Sequence, residues 1–249
     1  MSEEAPSTTP SLDPQVVSAF DRAQSATIAL ARHVVGQLRE GMSEAEIADL
    51  AVAAAPQHGF DRWFHRPEVR FNAPKVEPLT LGRAKALKVG TVVEIDLAPA
   101  NATAFGDFGH ALVFGGGDEP DVLRESRALL RGAVGFASRW KCTGEVFVFA
   151  QAWANNHNYS LGEATSVGHR CLPPEGLLAQ AWPRLSKAAI LMRRNQIEWF
   201  NYRRMAGLYA IQPRLVVGDH ACSFEEMVLI DGDTKRVLGR ASLDEVGTL

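Results

Sequence analysis

The stretch from Thr91 to Gly115, TVVEIDLAPANATAFGDFGHALVFG, constrains this chain more than any other. Two apolar runs, VVEIDLA and FGDFGHALVFG, flank the turn-prone ANAT, which is the pattern of a β-hairpin. Each run carries an aspartate, Asp96 and Asp107, eleven positions apart. The expected hairpin points both carboxylates inward. A bare carboxylate in an apolar strand is costly unless it is paired or holds a metal. From the hairpin alone two readings stand side by side: a pair of metal-binding aspartates, or two solvated aspartates at a sheet edge.

The remaining composition narrows the class. A length of 249 residues allows one large domain or two small ones. The apolar share of 46% and charged share of 22% are those of an ordinary soluble globular chain. A net charge of −3 gives no broad basic surface for nucleic acid. No apolar run is long enough to span a membrane. The polar, acidic start, MSEEAPSTTPSLDP, does not read as a signal peptide, and 1–12 is expected to be a disordered tail ahead of a single domain over 13–249. Cys142, Cys171 and Cys222 are odd in number and show no CxxC spacing, which points to a reducing cytoplasm.

Capping signals and periodicity place the helices. Asp13-Pro14 reads as an N-cap followed by proline at the first helical position, opening a helix over 14–38 with Val17, Phe20, Ala23, Ile28 and Val34 on its buried face. Ser43 with Glu46 is a capping box for a helix over 44–54. An extended region follows over 61–72, then a loop over 74–89, then the hairpin. Amphipathic helices are expected over 120–137 and 143–155. In the second half, Gly168-His169 reads as a loop, 175–187 as weakly helical or loop, and 207–217 and 222–230 as a strand pair carrying Gln212 and Glu225. A last strand covers 236–238. Helices then hairpin, twice over, suggest an α+β domain with internal pseudo-symmetry.

The order Asp96, Asp107, a Gly-His loop at His169, an IQP strand with Gln212, and an SFEE strand with Glu225 resembles the pita-bread metallopeptidases: methionine aminopeptidase, aminopeptidase P and creatinase. FHRPEVRFN at 64–72 is similar to a segment of short aminopeptidase P-like proteins, and the resemblance runs over about 15–240. It implies a curved antiparallel sheet wrapped by helices, with the site on the concave face and a homodimer as the assembly. It also implies the single-domain form, without the extra N-terminal domain of aminopeptidase P and creatinase. Asp96 would hold one divalent ion, Asp107 and Glu225 would bridge, and His169 with Gln212 would hold a second. Oxygen ligands with one imidazole suit Mn, Fe, Co or Zn. Such ions lower the pKa of a shared water and polarise a carbonyl.

The chain departs from that pattern in three places. Position 212 is glutamine where the family has glutamate, which leaves three carboxylates and fits one ion, or none, better than two. No histidine occurs at Pro78-Leu79-Thr80, and none follows His169 in Arg170-Cys171-Leu172-Pro173-Pro174-Glu175, where the peptidases carry proton-moving histidines. His110, His65 and His220 are the histidines that could stand in, each against the plainer reading of a surface or hydrogen-bonded side chain. His110, His169 and Glu225 are taken as the catalytic groups. Glu226 is expected to face solvent because strand side chains alternate, and Cys171 and Cys222 to be buried filler. Arg193-Arg194 and Arg203-Arg204 are either a solvated face or a pocket for a substrate carboxylate.

The expected function is a metal-dependent, hydrolase-like enzyme acting on a small amide or C–N bond, distinct from a standard peptidase. Its partner is a small-molecule or short peptide-like substrate, with no nucleic acid and no membrane. Its cofactor is one or two divalent ions, or none. The alternatives are a lyase, dehydratase or cyclase on the same scaffold using one metal or none, as creatinase works without one, and a binding protein that kept the fold.

Overall fold

The computed structural model describes residues 12–73, 86–162, 166–172 and 195–249. The expectations for the tail over 1–11, most of the 74–89 loop, Pro78-Leu79-Thr80, the 175–187 segment and Arg193-Arg194 lie outside the described residues.

The first half begins with α1 (Pro14–Gly36), capped by the Asp13 carboxylate accepting from the Gln15 N–H at 2.8 Å. The next helix, α2 (Glu44–Ala54), has the full capping box, with Ser43 and Glu46 each bonding the other's backbone. Both helices pack their apolar faces on one antiparallel sheet, β1 (Arg62–Phe71), β2 (Val92–Ala100) and β3 (Phe108–Val113), in that spatial order. The second half repeats the plan with α3 (Asp121–Phe136) and α4 (Thr143–Asn156). Its strands are β4 (Ser160–Leu161), β5 (Gly168–Cys171), β6 (Gly207–Ile211), β7 (Arg214–Val217), β8 (His220–Ser223), β9 (Glu226–Asp231) and β10 (Thr234–Val237). They form one sheet in the order β10-β9-β6-β5 and another in the order β4-β7-β8.

Two expectations change here. The 207–217 and 222–230 segments are not single strands. The first breaks at Gln212-Pro213, because proline has no N–H to continue the ladder. The second breaks at Phe224-Glu225, because the backbone of Glu225 turns aside to bond Gly109 in both directions, at 2.9 and 3.3 Å. Each segment therefore starts in one sheet and ends in another, with Gln212 and Glu225 at the crossing points. His169 lies in a strand, β5, opposite Ala210, instead of in a loop.

The Gly109–Glu225 bridge is the seam between the halves. A Cβ on Gly109 would lie 3.0 Å from the Glu225 Cβ and 3.6 Å from the Gln212 side chain, so a side chain there would push the two halves apart by a few tenths of an ångström. A second tie joins α1 to the hairpin. Gln24, fully buried, donates to the Asp107 carbonyl at 2.9 Å and accepts from the Asp107 N–H at 2.8 Å. One turn on, Thr27 packs against Gly106 so tightly that a Cβ there would sit 2.0 Å from its hydroxyl. Helix α1 thereby fixes the backbone on which Asp107 stands.

Replacing Gln24 with alanine leaves both backbone groups of Asp107 buried and unpaired. It is expected to lower unfolding stability by about 2–3 kcal/mol, since each orphaned group costs on the order of 1–3 kcal/mol. Denaturant unfolding of Gln24→Ala, with Arg22→Ala on the exposed face as control, checks this.

Candidate metal centre

Asp96 stands in the middle of β2, opposite Gly109, and Asp107 immediately precedes β3. Asp107 is 1% exposed and Asp96 9%. The edge-aspartate reading of the hairpin is thus replaced by two buried carboxylates on one face. Glu225, also buried, joins them from the seam, and His169 comes in from β5 with its Nε2 3.3 Å from Asp107 Oδ2.

A second imidazole enters from β1. His65 Nε2 lies 3.5 Å from Asp96 Oδ1 and 3.8 Å from Asp107 Oδ1. Regular alternation would not put it there. Glu68 pairs with Asp96 and His65 with Ala98, so three steps along β1 match two along β2. That extra residue is a β-bulge at Arg66-Pro67, and it turns His65 onto the carboxylate face. Pro67 inside an apolar-aromatic strand was the available sign of a bulge.

Gln212 reaches the same cluster but as a donor: its Nε2 is 2.9 Å from Asp96 Oδ2. An amide oxygen turned to that carboxylate would be repelled, so the nitrogen faces it.

His110 is not brought to the cluster. It pairs with Ile95, one step out of phase with the Asp96–Gly109 pair, and so faces the other side of the sheet. There it is buried against Phe108 and Phe224. Burial, together with the Arg127 and Arg240 charges, pulls its pKa down to about 3. Its assignment as a catalytic group is therefore withdrawn. Glu226 does point away from Glu225, but into the core instead of solvent. It pairs with Arg240 at 2.6 Å and accepts from the Gly247 N–H. Both faces of this strand are covered, so alternation gave the side and not the environment. Cys171 and Cys222 are buried thiols. His220 is exposed at the start of β8. Arg203 and Arg204 lie at the start of α4, where the Arg203 carbonyl accepts from Thr143 and Arg204 donates to the Trp140 carbonyl.

Two residues along each strand from the cluster lies a supporting layer. The Arg214 guanidinium and the Ser223 hydroxyl donate to Glu94 Oε1 at 2.8 and 2.6 Å, with Arg70 at 3.5 Å. Glu94, Arg214 and Ser223 stand two positions from Asp96, Gln212 and Glu225 respectively. This buried ion pair therefore holds together the three strand segments that carry the cluster.

The electrostatics show what is lacking. Burial pushes Asp96 up to about 6, against the pull of His65 and with the Asp107 charge adding to it. Glu225 is driven well above the ordinary carboxylate range, first by burial and then by Asp107 and Asp96. Asp107 goes the other way: burial would raise it, but His169 and His65 hold it at about 2. For His65, burial lowers the pKa, but Asp107 and Asp96 outweigh it and raise it to about 10. Asp96 Oδ1 and both oxygens of Asp107 accept no hydrogen bond among the described residues. The donor atoms of His65, Asp96 and Asp107 lie within 4.8 Å of one another, as do those of Asp107, His169 and Glu225. Three crowded carboxylates, two of them with orphaned oxygens, and two inward imidazoles are a donor set that fits a divalent cation.

The fold is shared with solved structures of known peptidases. The structure is similar to the X-Pro aminopeptidase from Thermotoga maritima (17% identity, TM-score 0.70, 92% of this chain and 62% of that one). It is similar to the prolidase from Pyrococcus furiosus (17%, 0.70, 92% and 65%) and to the methionine aminopeptidase from Thermotoga maritima (18%, 0.70, 92% and 98%). The chain spans less than two thirds of the first two. No family model and no curated protein matches the sequence. The likeness establishes an α+β pita-bread fold, as the resemblance implied. No helix among the described residues is long and apolar enough to cross a membrane.

The shifts set the pH response of chelated protein. Asp96 has a folded pKa of about 6 against the 3.8 of a free aspartate, so its contribution to stability falls as pH rises between those values. His65, at about 10 against 6.5, loses its contribution as pH rises from 6.5 to 10. Asp107 acts oppositely but only below pH 3.8. Chelated protein is therefore expected to melt at lower temperature at pH 8 than at pH 5. Added Mn²⁺ should recover the loss at pH 8. Thermal melts across that range, with and without Mn²⁺, check it.

Proposed function

We propose that this chain is a metal-dependent, hydrolase-like enzyme of the aminopeptidase P/creatinase superfamily, acting on a small amide or C–N bond. One observation carries the reading: three buried carboxylates converge, and the orphaned oxygens of two of them, Asp96 and Asp107, are turned toward two imidazoles. A binding module has no physical need of that arrangement, which costs stability unless a cation offsets it. The X-Pro aminopeptidase, prolidase and methionine aminopeptidase of the same fold support hydrolysis of an amide.

Asp107, His169 and Glu225 would hold a cation, with Asp96 beside them. A divalent ion there supplies Lewis acidity toward a carbonyl and acidifies a water. The chain's own groups do the rest. Glu225 is buried next to Asp107 and is the side chain placed to take and return a proton. His169 on β5 presents Nε2 to the Asp107 carboxylate, on the side of the cluster where Glu225 stands. The Glu94–Arg214–Ser223 layer keeps the three strand segments in register, so that these groups do not move apart when charge develops.

Gln212 favours a second reading. It adds no charge and hydrogen-bonds a carboxylate, which suits a lyase or dehydratase working with one ion.

The test is a panel of dipeptides, aminoacyl amides and N-acyl amino acids, assayed with protein loaded with Mn²⁺, Fe²⁺, Co²⁺ or Zn²⁺. Hydrolysis that a chelator abolishes is expected. Asp107→Asn and Glu225→Gln should each lower kcat/KM by roughly 10³-fold, on the order of 4 kcal/mol of transition-state stabilisation. Metal-loaded protein that cleaves nothing in the panel would contradict hydrolysis and bring the lyase reading forward.

A further inference from the structure

The geometry points to His65 as an added ligand at the cation position that Asp96 and Asp107 share, and to Gln212 as a positioning residue that binds no metal. This rests on the metal-dependent reading above and goes beyond it, because neither role follows from the pattern of aspartates, histidine and glutamate that the chain resembles.

The first observation is the division of Asp107 between two sides. Its Oδ1 faces His65 and its Oδ2 faces His169. Each side adds one further carboxylate, Asp96 with His65 and Glu225 with His169. Asp107 is 1% exposed, and neither of its oxygens accepts a hydrogen bond among the described residues. A side chain so buried, with both acceptors unused and an imidazole in front of each, is arranged for a bridging ligand.

The second observation is the orientation of His65. Its Nδ1 is 2.8 Å from the Arg66 carbonyl, which fixes Nδ1 as an N–H and leaves Nε2 facing the carboxylates, where a cation would take the place of its proton. Metal-bound histidines are held in this way, by an outer carbonyl on the other nitrogen. The Nε2 separations from Asp96 Oδ1 and Asp107 Oδ1 are 3.5 and 3.8 Å. These are too long for hydrogen bonds. They are close to the roughly 3.0–3.5 Å edge between donors that share one ion at about 2.1 Å. The bulge at Arg66-Pro67, where proline interrupts the ladder, is what aims His65 inward.

The third observation concerns Gln212. Its amide nitrogen occupies Asp96 Oδ2 at 2.9 Å, which leaves Oδ1 as the free oxygen, the same oxygen that faces His65. Gln212 thus turns Asp96 into a one-oxygen ligand aimed at the His65 position. The ligands so grouped, one imidazole and two carboxylates, suit Mn²⁺, Fe²⁺, Co²⁺ or Zn²⁺.

The experiment is calorimetric titration of chelated full-length protein with Mn²⁺, paired with elemental analysis of the loaded protein, for wild type, His65→Ala, His65→Gln, His169→Ala and Gln212→Ala. Circular dichroism and melting temperature confirm that each variant is folded. Wild type is expected to bind two ions. Both His65 variants should retain one ion and weaken the other step at least tenfold. His169→Ala should weaken the opposite step. Gln212→Ala should weaken the step lost in the His65 variants, by about 10-fold, and leave the other unchanged. His65→Gln keeps a polar side chain of similar length, so a folding defect confined to His65→Ala leaves the result readable. Two ions bound with unchanged affinities in folded His65 variants would overturn the His65 position while leaving the metal-dependent reading intact. A single ion in wild type would do the same. Loss of the His169 step in Gln212→Ala would overturn the positioning role by making Gln212 a ligand. No ion in wild type under any loading overturns both.

Discussion

The burial of Asp107 is the constraint on which the rest of this structure depends. A carboxylate almost wholly removed from water, beside two other buried acids, is tolerated only where its backbone is fixed and its charge is answered. Gln24 of α1 does the first, bonding both backbone groups of Asp107. His65 and His169 begin the second, one in front of each carboxylate oxygen. Two imidazoles do not balance three carboxylates, and the remaining deficit is what a divalent cation would supply.

The two-fold plan of the chain follows from the same centre. Each half, a pair of helices on an antiparallel sheet, builds its own apolar core. The halves meet where Gly109 lies against Glu225, a contact that a side chain at 109 would loosen. Strands that change sheet at this seam cannot keep a regular ladder. The breaks at Gln212-Pro213 and Phe224-Glu225 turn the side chains at those points toward the first half's hairpin. Irregular backbone here is how the second half delivers its polar groups to aspartates on the first.

Much of this was legible in the sequence where one local signal decides the outcome. The Asp13-Pro14 cap, the Ser43/Glu46 box and the apolar stripe of α3 gave helices within two residues of their observed ends. The apolar runs around Asp96 and Asp107 gave the hairpin. What was missed depends on register across strands. His65, one of three histidines that could stand in, reaches the cluster only through a bulge, which the order of residues along the chain does not reveal. His110 was placed in the cleft for its nearness to Asp107. Yet a spacing of three in a strand puts two side chains on opposite faces, so alternation itself carried the correction. Glu226 shows the converse: alternation was right, but whether the far face meets solvent or core is set by α3 and the C-terminal segment, which no strand pattern reveals.

Anomalous diffraction from crystals grown with Mn²⁺ tests the central claim most directly. Peaks adjoining the Asp107 carboxylate, within ligand distance of His169 and Glu225 on one side and of His65 and Asp96 on the other, are the result expected here. An ordered carboxylate cluster with only water between its oxygens, and no anomalous density beside Asp107, would contradict it.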